Sequence, residues 1–554
     1  MISLVVILVV SVQLWPARGS HDVADHDAFG KGVRSLEVDL SVDLSRIVRE
    51  VDERFLSVAI DASLVAEEKF MYMLGSPKLR TLAKALSPSY LRFGGTRQDF
   101  MVFNPEKYLM RSHGYDQQKP GLSAGPEDSC KKMELPTLLE ARLKKQWIQQ
   151  QALLRKENLQ KKYRRRVKFT EYSVDLLTSF ANCTDMDLIF GLNALLRTSD
   201  NIWNSSNARS LIKYCESRQY RISWELGNEP NSYEKKAGVR VSGSQLGEDF
   251  VNLREILQDS KLYHNTGLYG PDISQPRDHR KDLLQGFLTT GSQAINACTW
   301  HHYYVNGREA TLADFISPQV LDSLGLKISQ VLESVHLVSP GMRSWLGESS
   351  SAYGGGAEGL SDAFAAGFMW LDKLGLAAKM GLDVVIRQVL IGSGTYHLVD
   401  DNLDPLPDYW LSLLYKRLVG PEVLMVERLL LAGLQNPRRK VRVYLHCANR
   451  NRGYSKGAVT LMAMNLAARP SRLTLPALLS PSTVEAFVLQ SDQPNEAGLY
   501  SRSVMLNEKL LQMLDDQTLP ELKGNILPPA DHLSLPGFSL AFFVFTEAEA
   551  AACH

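Results

Sequence analysis

Short apolar runs alternate with helical patterns along most of this chain. Between residues 174 and 418, apolar runs end at Gly, Pro or a polar residue, and segments with a helical period separate them. Strands that alternate with helices in this way predict βα units and a parallel sheet. Two earlier runs bring the predicted strands to eight: residues 56–61, 90–96, 188–192, 222–225, 268–270, 298–304, 345–348 and 384–388.

Eight such units predict an α/β fold built on a (β/α)8 TIM barrel. One helix is predicted from Ser76 to Leu86, because Pro77 suits a first helical turn. Another is predicted from Asp362 to Lys379, where Ala, Phe, Met and Leu give a broad apolar face. The carboxyl ends of barrel strands carry the chemistry, so polar residues there are the candidates for a site.

After Pro421 the pattern changes to short strands with alternating apolar residues. Four of them are residues 441–447, 458–464, 484–488 and 539–545. Such strands predict a C-terminal antiparallel β-sandwich over 421–554, with the rest of the barrel in 161–420. An isolated alternating strand around Leu40 is expected to complete the sandwich.

Residues 109–160 interrupt the barrel pattern. The first part is rich in Gly, Pro, Ser and Gln, and the second is charged and helix-forming. A segment of this length between barrel elements predicts a lid, a linker or a removable piece. It runs into a basic cluster at 161–168, which is typical of a solvated face, a processing site or a groove for a polyanion.

The first 19 residues contain an apolar run that is too short to span a bilayer and ends at small residues, as in a cleaved signal peptide. No later run reaches the length of a transmembrane helix. Sequons at Asn182 and Asn204 agree with secretion. Six cysteines lack metal spacing, and disulfides are expected in an oxidising compartment. We predict no cofactor, metal or nucleic-acid partner; with a net charge of +1, attraction for polyanions depends on local patches.

Two glutamates stand where predicted strands end. Glu229 and Glu348 each follow an apolar run that contains Trp, and each has a Gly nearby. One such Glu is usually a salt-bridged or capping residue, but two facing carboxylates are the minimum for cleaving a glycosidic bond. His301 and Tyr303 share one face of their strand and are expected to point into the barrel mouth.

Long stretches resemble the heparanase family of retaining endo-β-D-glucuronidases. They are residues 75–95, 188–230, 299–308, 345–356 and 396–410. The resemblance implies a barrel with a C-terminal sandwich, Glu229 as the general acid/base and Glu348 as the nucleophile. That chemistry leads us to expect an ionised Glu348, and a Glu229 that holds its proton through burial and the charge of Glu348.

The resemblance also implies a sulfated, uronate-bearing substrate, heparan sulfate on cell-surface and matrix proteoglycans. The expected substrate contacts are Asp61, Thr96, Lys161, Lys162, Asn228, Gln275, Arg277, His301, Tyr303, Arg308, Tyr353, Gly354, Gly355, Gly394 and Tyr396. Asn228 is expected to bind the sugar 2-hydroxyl, its alternative role being a loop cap, and Glu225 to be structural.

The sequence departs from the family at several positions. Ser63 replaces an Asn, Cys298 replaces an apolar residue, and His279 replaces a Lys, which predicts a more pH-dependent affinity. Clusters at 280–281 and 438–440 either extend a cationic track or are solvated loops.

By the same resemblance, the chain is a proenzyme that a lysosomal cathepsin cuts near Tyr108–Leu109 and Gln160–Lys161. Excision of 109–160 would leave a light chain, 20–108, associated with a heavy chain as a heterodimer. The family pairs Cys130 with Cys183 and Cys447 with Cys553; Cys215 is expected to be free, and Cys298 to be a buried free thiol. The expected location is extracellular and lysosomal, including a peripheral position at the lysosomal membrane or cell surface.

Two other functions stay open. One is a heparan-sulfate-binding pseudoenzyme with an adhesive or regulatory role, which the intact Glu229 and Glu348 disfavour. The other is a glycosidase for neutral or different uronate substrates, which the basic clusters disfavour.

Overall fold

The computed structural model describes residues 35–66, 71–105, 139, 141–147, 166–276, 281–392, 394–431 and 440–554. All of them belong to one compact unit. The predicted signal peptide and the cut positions Tyr108, Leu109, Gln160 and Lys161 lie outside the described residues.

Twenty-two strands are found in the described residues. In chain order they are β1 (Leu36–Asp43), β2 (Arg49–Glu50), β3 (Leu56–Asp61), β4 (Ser89–Gly94), β5 (Met101–Phe103), β6 (Val167–Phe169), β7 (Met186–Leu192), β8 (Ser223–Leu226), β9 (Leu268–Ile273), β10 (Ala297–Asn306), β11 (Arg343–Tyr353), β12 (Val384–Ile391), β13 (Val419–Leu431), β14 (Val441–Ala448), β15 (Val459–Asn465), β16 (Ser471–Thr474), β17 (Val484–Ser491), β18 (Val504–Leu506), β19 (Lys509–Leu510), β20 (Asn525–Leu527), β21 (His532–Leu535) and β22 (Ser539–Phe545).

The α-helices of the described residues follow most barrel strands. They are α1 (Pro77–Ala85), α2 (Glu171–Cys183), α3 (Ser206–Ser217), α4 (Tyr233–Ala237), α5 (Gly243–Gln258), α6 (Lys281–Gly291), α7 (Leu312–Phe315), α8 (Pro318–Val338), α9 (Ala366–Met380) and α10 (Pro407–Leu418).

Eight parallel strands close into a barrel in the order β3-β4-β7-β8-β9-β10-β11-β12, with β12 pairing back to β3. Their apolar residues are buried because the helices cover the outside of the sheet and side chains fill the inside. All eight predicted barrel strands are confirmed. Glu229 follows the carboxyl end of β8, whereas Glu348 lies in the middle of β11, so the prediction that both glutamates stand at strand ends is wrong for Glu348.

The predicted helices are present, with one difference in a boundary. Pro77 is the first residue of α1, as predicted. Helix α9 starts at Ala366, four residues after the predicted start. The backbone N–H groups of Phe364 and Ala365 donate instead to Ser501 O (2.8 Å) and Leu499 O (3.0 Å), so the chain before Ala366 is held by another loop.

The C-terminal strands form the predicted sandwich, and the strand around Leu40 is one of its members. β1 is antiparallel to β13 but parallel to β16. Every pairing between the described strands within 421–554 is antiparallel, as predicted, and the one parallel pair among the described strands of the sandwich is the one that the N-terminal strand β1 makes with β16. A parallel neighbour requires a long connection, and the entire barrel lies between β1 and β16 in sequence.

Strand β14 shows how the sandwich packs on both of its faces. Val443 and Leu445 lie in the core that the sandwich strands share, whereas Tyr444 belongs to the larger core that includes the barrel and its helices. Because side chains alternate along a strand, one face of β14 packs in the core of the sandwich and the other packs in the larger core that includes the barrel.

A buried charge cluster links the sandwich to the barrel helices. Arg442 of β14 donates to Asp372 of α9 (Nε to Oδ1, 2.5 Å) and to Asp322 of α8 (Nη1 to Oδ1, 2.8 Å). Tyr444 also donates to Asp372, whose side chain is fully buried. Asp372 depends on these donors, because an isolated buried carboxylate is strongly unfavourable.

A small parallel sheet joins the two sides of the insertion. β5 pairs with β6, and Asn104 N–H donates to Phe169 O at 2.8 Å. On the far side of β5, Phe103 N–H donates to Asn207 Oδ1 of α3 at 3.0 Å. The chain therefore leaves and re-enters the barrel at neighbouring points. Sequence patterning did not predict these three-residue strands.

The disulfide Cys447–Cys553 is confirmed, and Cys215 and Cys298 are buried free thiols as expected. Cys183 is disulfide-bonded, while Cys130 lies outside the described residues. Within the described part of the chain, no helix combines the length and apolar character needed to cross a membrane.

The charge cluster predicts a stability effect. Arg442→Met is expected to lower the free energy of unfolding by about 3–5 kcal/mol, because Asp372 would stay buried without its cation. Arg502→Met is the matched control: Arg502 also pairs with two aspartates but is 50% exposed, so its loss is expected to cost about 0–1 kcal/mol. Denaturant unfolding measures both, and equal losses would contradict this assignment.

Candidate active site

The backbone turns sharply where Glu229 leaves the end of β8. Glu229 has φ 52° and ψ 60°, the left-handed region, which is uncommon for a residue other than Gly. Its N–H donates to Asp272 O of β9 at 2.9 Å. This conformation is typical of functional sites, where the surrounding structure holds a residue in place.

Glu348 is buried within β11, beside β10. An irregularity in the β10–β11 register brings His301 level with Glu348. Tyr303 lies on the same face of β10 and donates its hydroxyl hydrogen to Glu348 Oε1 at 2.7 Å. His301 and Tyr303 therefore both face the carboxylate, as the period of the strand predicts.

Imidazole nitrogen His301 Nδ1 lies between the two glutamates. It is 3.4 Å from Glu229 Oε1 and 3.9 Å from Glu348 Oε1, so these two oxygens are at most 7.3 Å apart, the sum of the two distances. Carboxyl groups of retaining glycosidases lie roughly 5–5.5 Å apart, and those of inverting enzymes roughly 6.5–9.5 Å. The bound applies to one pair of oxygens; it is compatible with the retaining spacing and places both acids at one site.

Arg92 is the cation that holds Glu348, and the sequence analysis did not identify it. Its guanidinium donates to Glu225 Oε2 (2.8 Å), Glu348 Oε2 (3.0 Å) and Asn228 Oδ1 (2.9 Å). The Arg92 side chain is fully buried. An arginine in the middle of an apolar barrel strand was the available signal, because a buried charge requires partners.

Asp272 and Glu225 extend this network beneath the glutamates. His301 Nε2 is 3.1 Å from Asp272 Oδ1. Burial raises the pKa of Glu225 to about 8, although Arg92 opposes the rise. Glu225 is fully buried and contacts Arg92 and Asp272, which agrees with its expected structural role.

His301 is a cation over the ordinary pH range. Burial alone would lower its pKa, but the charge of Glu348 and the hydrogen bonds to Asp272 and Glu229 raise the pKa to about 9. The imidazolium can donate from both ring nitrogens. Its two acceptors are Glu229 Oε1, near Nδ1, and Asp272 Oδ1, near Nε2.

Lys236 of α4 is the second cation that the sequence analysis missed. Its Nζ lies 2.9 Å from Glu229 Oε2 and donates to Thr96 Oγ1 at 3.1 Å. Burial alone would raise the pKa of Glu229, but the charges of Lys236 and His301 hold this pKa well below its usual range. The expectation that Glu229 holds its proton is therefore wrong for the free protein.

Asn228 is held by hydrogen bonds to Arg92 and Asp99. Arg92 donates to Oδ1, and the backbone N–H donates to Asp99 Oδ2 at 2.8 Å. The amide of the side chain is oriented by this donor, because guanidinium cannot accept a hydrogen bond. Nδ2 has no partner among the described residues and remains available as a donor, so Asn228 does not act as a cap.

Asp61 and Thr96 lie beside this centre. Asp61 Oδ1 accepts from Ser63 N–H at 2.8 Å, and Oδ2 accepts from Gln388 Nε2 at 3.0 Å. A Cβ on Gly95, which has φ 105°, would lie 2.9 Å from Asp61 Oδ2. The glycine therefore permits both the turn and the close approach to Asp61.

Two glycine-containing loops meet at the rim. Thr395 N–H donates to Gly355 O at 2.7 Å, and an added Cβ on Gly355 would lie 3.9 Å from Gly394 Cα. Gly354 precedes this contact with φ 85°. The ring of Tyr396 lies 6.1 Å from that of Tyr303, so this loop pair reaches the carboxylate cluster through an aromatic contact.

The remaining predicted contacts are less closely placed. Tyr353 is 42% exposed and Arg308 is exposed. Gln275 is half-buried, and its Oε1 has no partner in the described ranges. Within those ranges none of these three contacts the two glutamates.

Several predicted residues cannot be placed. Lys161, Lys162, Arg277, His279, Arg280, Arg438 and Arg439 lie outside the described residues. Lys440 donates to Ile316 O at 3.1 Å and is half-buried, so it is not a solvated loop residue. Asn182 and Asn204, the predicted glycosylation positions, are exposed.

The chain has relatives over nearly its whole length. A family model described as glycosyl hydrolase family 79, N-terminal domain, matches residues 166–375. Heparanase from Mus musculus is 50% identical, covering 93% of this chain and 94% of that protein. Inactive heparanase-2 from Homo sapiens is 40% identical, covering 93% of this chain and 89% of that protein.

A solved structure supports the fold independently. A 4-O-alpha-L-rhamnosyl-beta-D-glucuronidase from Fusarium oxysporum superposes with a TM-score of 0.58, covering 92% of this chain and 100% of that chain. The two sequences are 14% identical, so this likeness concerns the fold alone.

The charge state of His301 predicts a pH dependence of stability. A pKa raised from 6.5 to about 9 stabilises the fold by roughly 3 kcal/mol below pH 6.5, and this contribution disappears as pH rises to about 9. The stability difference between the wild type and His301→Asn should therefore shrink over that range. Denaturant unfolding from pH 5.5 to 9.5 measures it.

His446 provides the control with the opposite sign. It is buried in β14, and burial lowers its pKa to about 4. The wild type should lose stability relative to His446→Asn as pH falls from 6.5 towards 4, because only the unfolded state gains the proton. If the stability difference between the wild type and His301→Asn does not change between pH 6.5 and 9, His301 is neutral and the assignment is wrong.

Proposed function

This chain belongs to the heparanase family and is a glycoside hydrolase; we propose that it is a retaining endo-β-D-glucuronidase acting on internal glucuronyl–glucosamine linkages of heparan sulfate. The observation that carries the proposal is the placement of Glu229 and Glu348. Oε1 of each lies within 3.9 Å of His301 Nδ1, so these two oxygens are at most 7.3 Å apart. The expected consequence is degradation and remodelling of the extracellular matrix.

Glu348 acts as the nucleophile in this proposal. Arg92 and Tyr303 donate to its two oxygens, at 3.0 and 2.7 Å, which fixes the orientation of the carboxyl group. It attacks the anomeric carbon as the glycosidic bond breaks. The glycosyl ester that forms has lost the negative charge of Glu348, and Arg92 still retains Glu225 as a partner.

Glu229 acts as the acid and then as the base. It protonates the leaving oxygen in the first half-reaction and removes a proton from water in the second. Because Glu229 is ionised in the free protein, it must gain a proton after the substrate binds. In this proposal Asn228 Nδ2 donates to the sugar 2-hydroxyl, a contact that strengthens in the transition state.

A binding protein without activity remains the second candidate, because one relative is named inactive heparanase-2. Against it, both glutamates are present together with their hydrogen-bond partners: Arg92 and Tyr303 for Glu348, and His301 for Glu229. Such an adhesive or regulatory protein would bind heparan sulfate without shortening it.

Glu348→Gln separates the two candidates. Turnover of heparan sulfate is expected to fall to background while affinity for heparin is retained, because the carboxylate forms a bond rather than anchoring the polymer. Gel filtration of the digested polymer measures chain length, and heparin affinity chromatography measures binding. The first product should have the β configuration by NMR, as retention requires.

Glu216→Gln, remote on α3, is the control for the same chemical change. It should leave turnover unaffected. Retained turnover in Glu348→Gln would refute the nucleophile, and a wild type that binds but never shortens the polymer would support the binding protein.

We also propose that a lysosomal cathepsin activates this chain by excising 109–160, and that the protein works outside the cell and in lysosomes. The pairings β3–β12, β4–β7 and β5–β6 all join the predicted light chain to the heavy chain. These contacts support an association that survives cleavage. The predicted heterodimer therefore needs no covalent link through 109–160.

Treatment of the full chain with a lysosomal cysteine protease at acidic pH is expected to raise activity and leave two fragments that co-elute on gel filtration. Hydrogen bonds across β3–β12, β4–β7 and β5–β6 are the reason for co-elution. Mass spectrometry identifies the fragments, and Glu348→Gln, cut alike, provides the inactive control. Separation of the native fragments, or unchanged activity after cutting, would contradict the proposal.

A further inference from the structure

Lys236 forms an ion pair with Glu229, the proposed general acid, and this pair must separate before Glu229 can act. Its ammonium is 2.9 Å from Glu229 Oε2 and donates to Thr96 Oγ1, and both the Lys236 and Glu229 side chains are 22% exposed. A carboxylate in this pair cannot protonate a leaving group. The catalytic cycle therefore requires that the pair separate after the substrate binds.

The backbone of Lys236 is held in place by its helix, α4, although the side chain itself is long. Tyr233 begins α4, is buried, and donates to Asp99 Oδ1 at 3.1 Å, while Asn228 N–H donates to the Tyr233 hydroxyl. Four methylene groups allow the ammonium to move by several ångströms without moving the helix. Lys236 can therefore exchange partners by rotating its side chain.

The leaving sugar determines which partner is available. A general acid lies against the glycosidic oxygen, so a cation in contact with it lies within reach of substituents on the departing sugar. In heparan sulfate these substituents include sulfates, which bind ammonium groups strongly. An uncharged sugar offers no anion in exchange.

We propose that Lys236 is a specificity-determining residue that holds Glu229 as a carboxylate in the free enzyme and releases it when a sulfate on the leaving sugar takes the ammonium. This inference rests on the proposed endo-glucuronidase function and deepens it. A sulfated leaving sugar would thus switch on the acid that expels it.

The proton is accounted for within the site. With Lys236 on the sulfate, the Nδ1–H bond of the His301 imidazolium breaks and a proton forms an O–H bond with Glu229 Oε1, 3.4 Å away. His301 becomes neutral and keeps its Nε2–H on Asp272. Glu229 gives the proton to the leaving oxygen, and the proton later removed from water restores the resting state.

The charged groups around Glu229 are consistent with this order of events. Lys236 faces it from α4, His301 from β10, and Glu348 from β11 beyond His301. Arg92 lies deeper and is bound by Glu225 and Glu348. Of the cations that contact Glu229, Lys236 is therefore the one that solvent and substrate can reach.

The test compares two oligosaccharides with the same glucuronyl–glucosamine linkage. In one, the leaving glucosamine carries N- and 6-O-sulfates; in the other it is N-acetylated with a free 6-hydroxyl. The pH profile of kcat reports the bound enzyme, and that of kcat/KM the free enzyme. The wild type should keep its kcat to higher pH with the sulfated substrate, by about one to three pH units.

Lys236→Met should remove that difference. Without the ammonium, the pKa of Glu229 rises, so the alkaline limb of kcat/KM moves to higher pH and the kcat limbs of the two substrates coincide. The preference in kcat for the sulfated substrate should fall at least about tenfold, the equivalent of one pH unit. Lys236→Arg should keep the separation, because it retains the cation.

Lys235→Met is the matched control. Lys235 precedes Lys236 on α4, is exposed, and forms no ion pair with any carboxylate in the described ranges. It should leave the separation of the kcat limbs unchanged.

Coincident kcat limbs in the wild type, or a separation that persists in Lys236→Met, would overturn the role of Lys236 while leaving the glucuronidase intact. A wild type that cleaves neither oligosaccharide would instead overturn the proposed function, and this inference with it.

Discussion

The fold and the site both depend on one buried guanidinium. Arg92 has no solvent to satisfy it, and it binds Glu225 on β8, Glu348 on β11 and Asn228 after β8. A buried cation without such partners would cost several kcal/mol. The barrel therefore closes favourably only when these strand ends converge on Arg92. The same convergence brings the two candidate acids together.

The sandwich contributes to this arrangement from a distance. β1 and β2 come from the N-terminal segment and pair with β13, while β3 and β4 of the same segment complete the barrel. The segment before residue 105 is thus held by two cores rather than by its covalent continuation. Arg442 of the sandwich and Asp372 of the barrel helices fix the same two layers to each other in their buried hydrogen-bonded cluster.

Sequence patterning was sufficient for the elements whose residues carry a local signal. The barrel strands were predictable because each contains a short apolar run. Glu229 and Glu348 were predictable because each comes shortly after such a run in the sequence, although Glu348 lies in the middle of β11. Asp272 was not predictable, because its role depends on a contact with His301 on another strand. Lys236 was not, because its contact with Glu229, seven residues earlier, depends on the turn between β8 and α4. The ionised state of Glu229 was missed for the same reason: burial can be anticipated locally, but Lys236 and His301 oppose it from other elements.

The cations of the centre cannot also hold the polymer. Arg92 and His301 are buried and already bound to carboxylates, so little of their charge reaches a polyanion in solution. The net charge of the whole chain is only +1, which gives no long-range attraction either. Binding must therefore rely on exposed cations around the rim, of which Arg308 is one. The reaction and the binding of the polymer then use separate sets of charged residues. Lys236, whose side chain is 22% exposed and paired with Glu229, belongs to both sets.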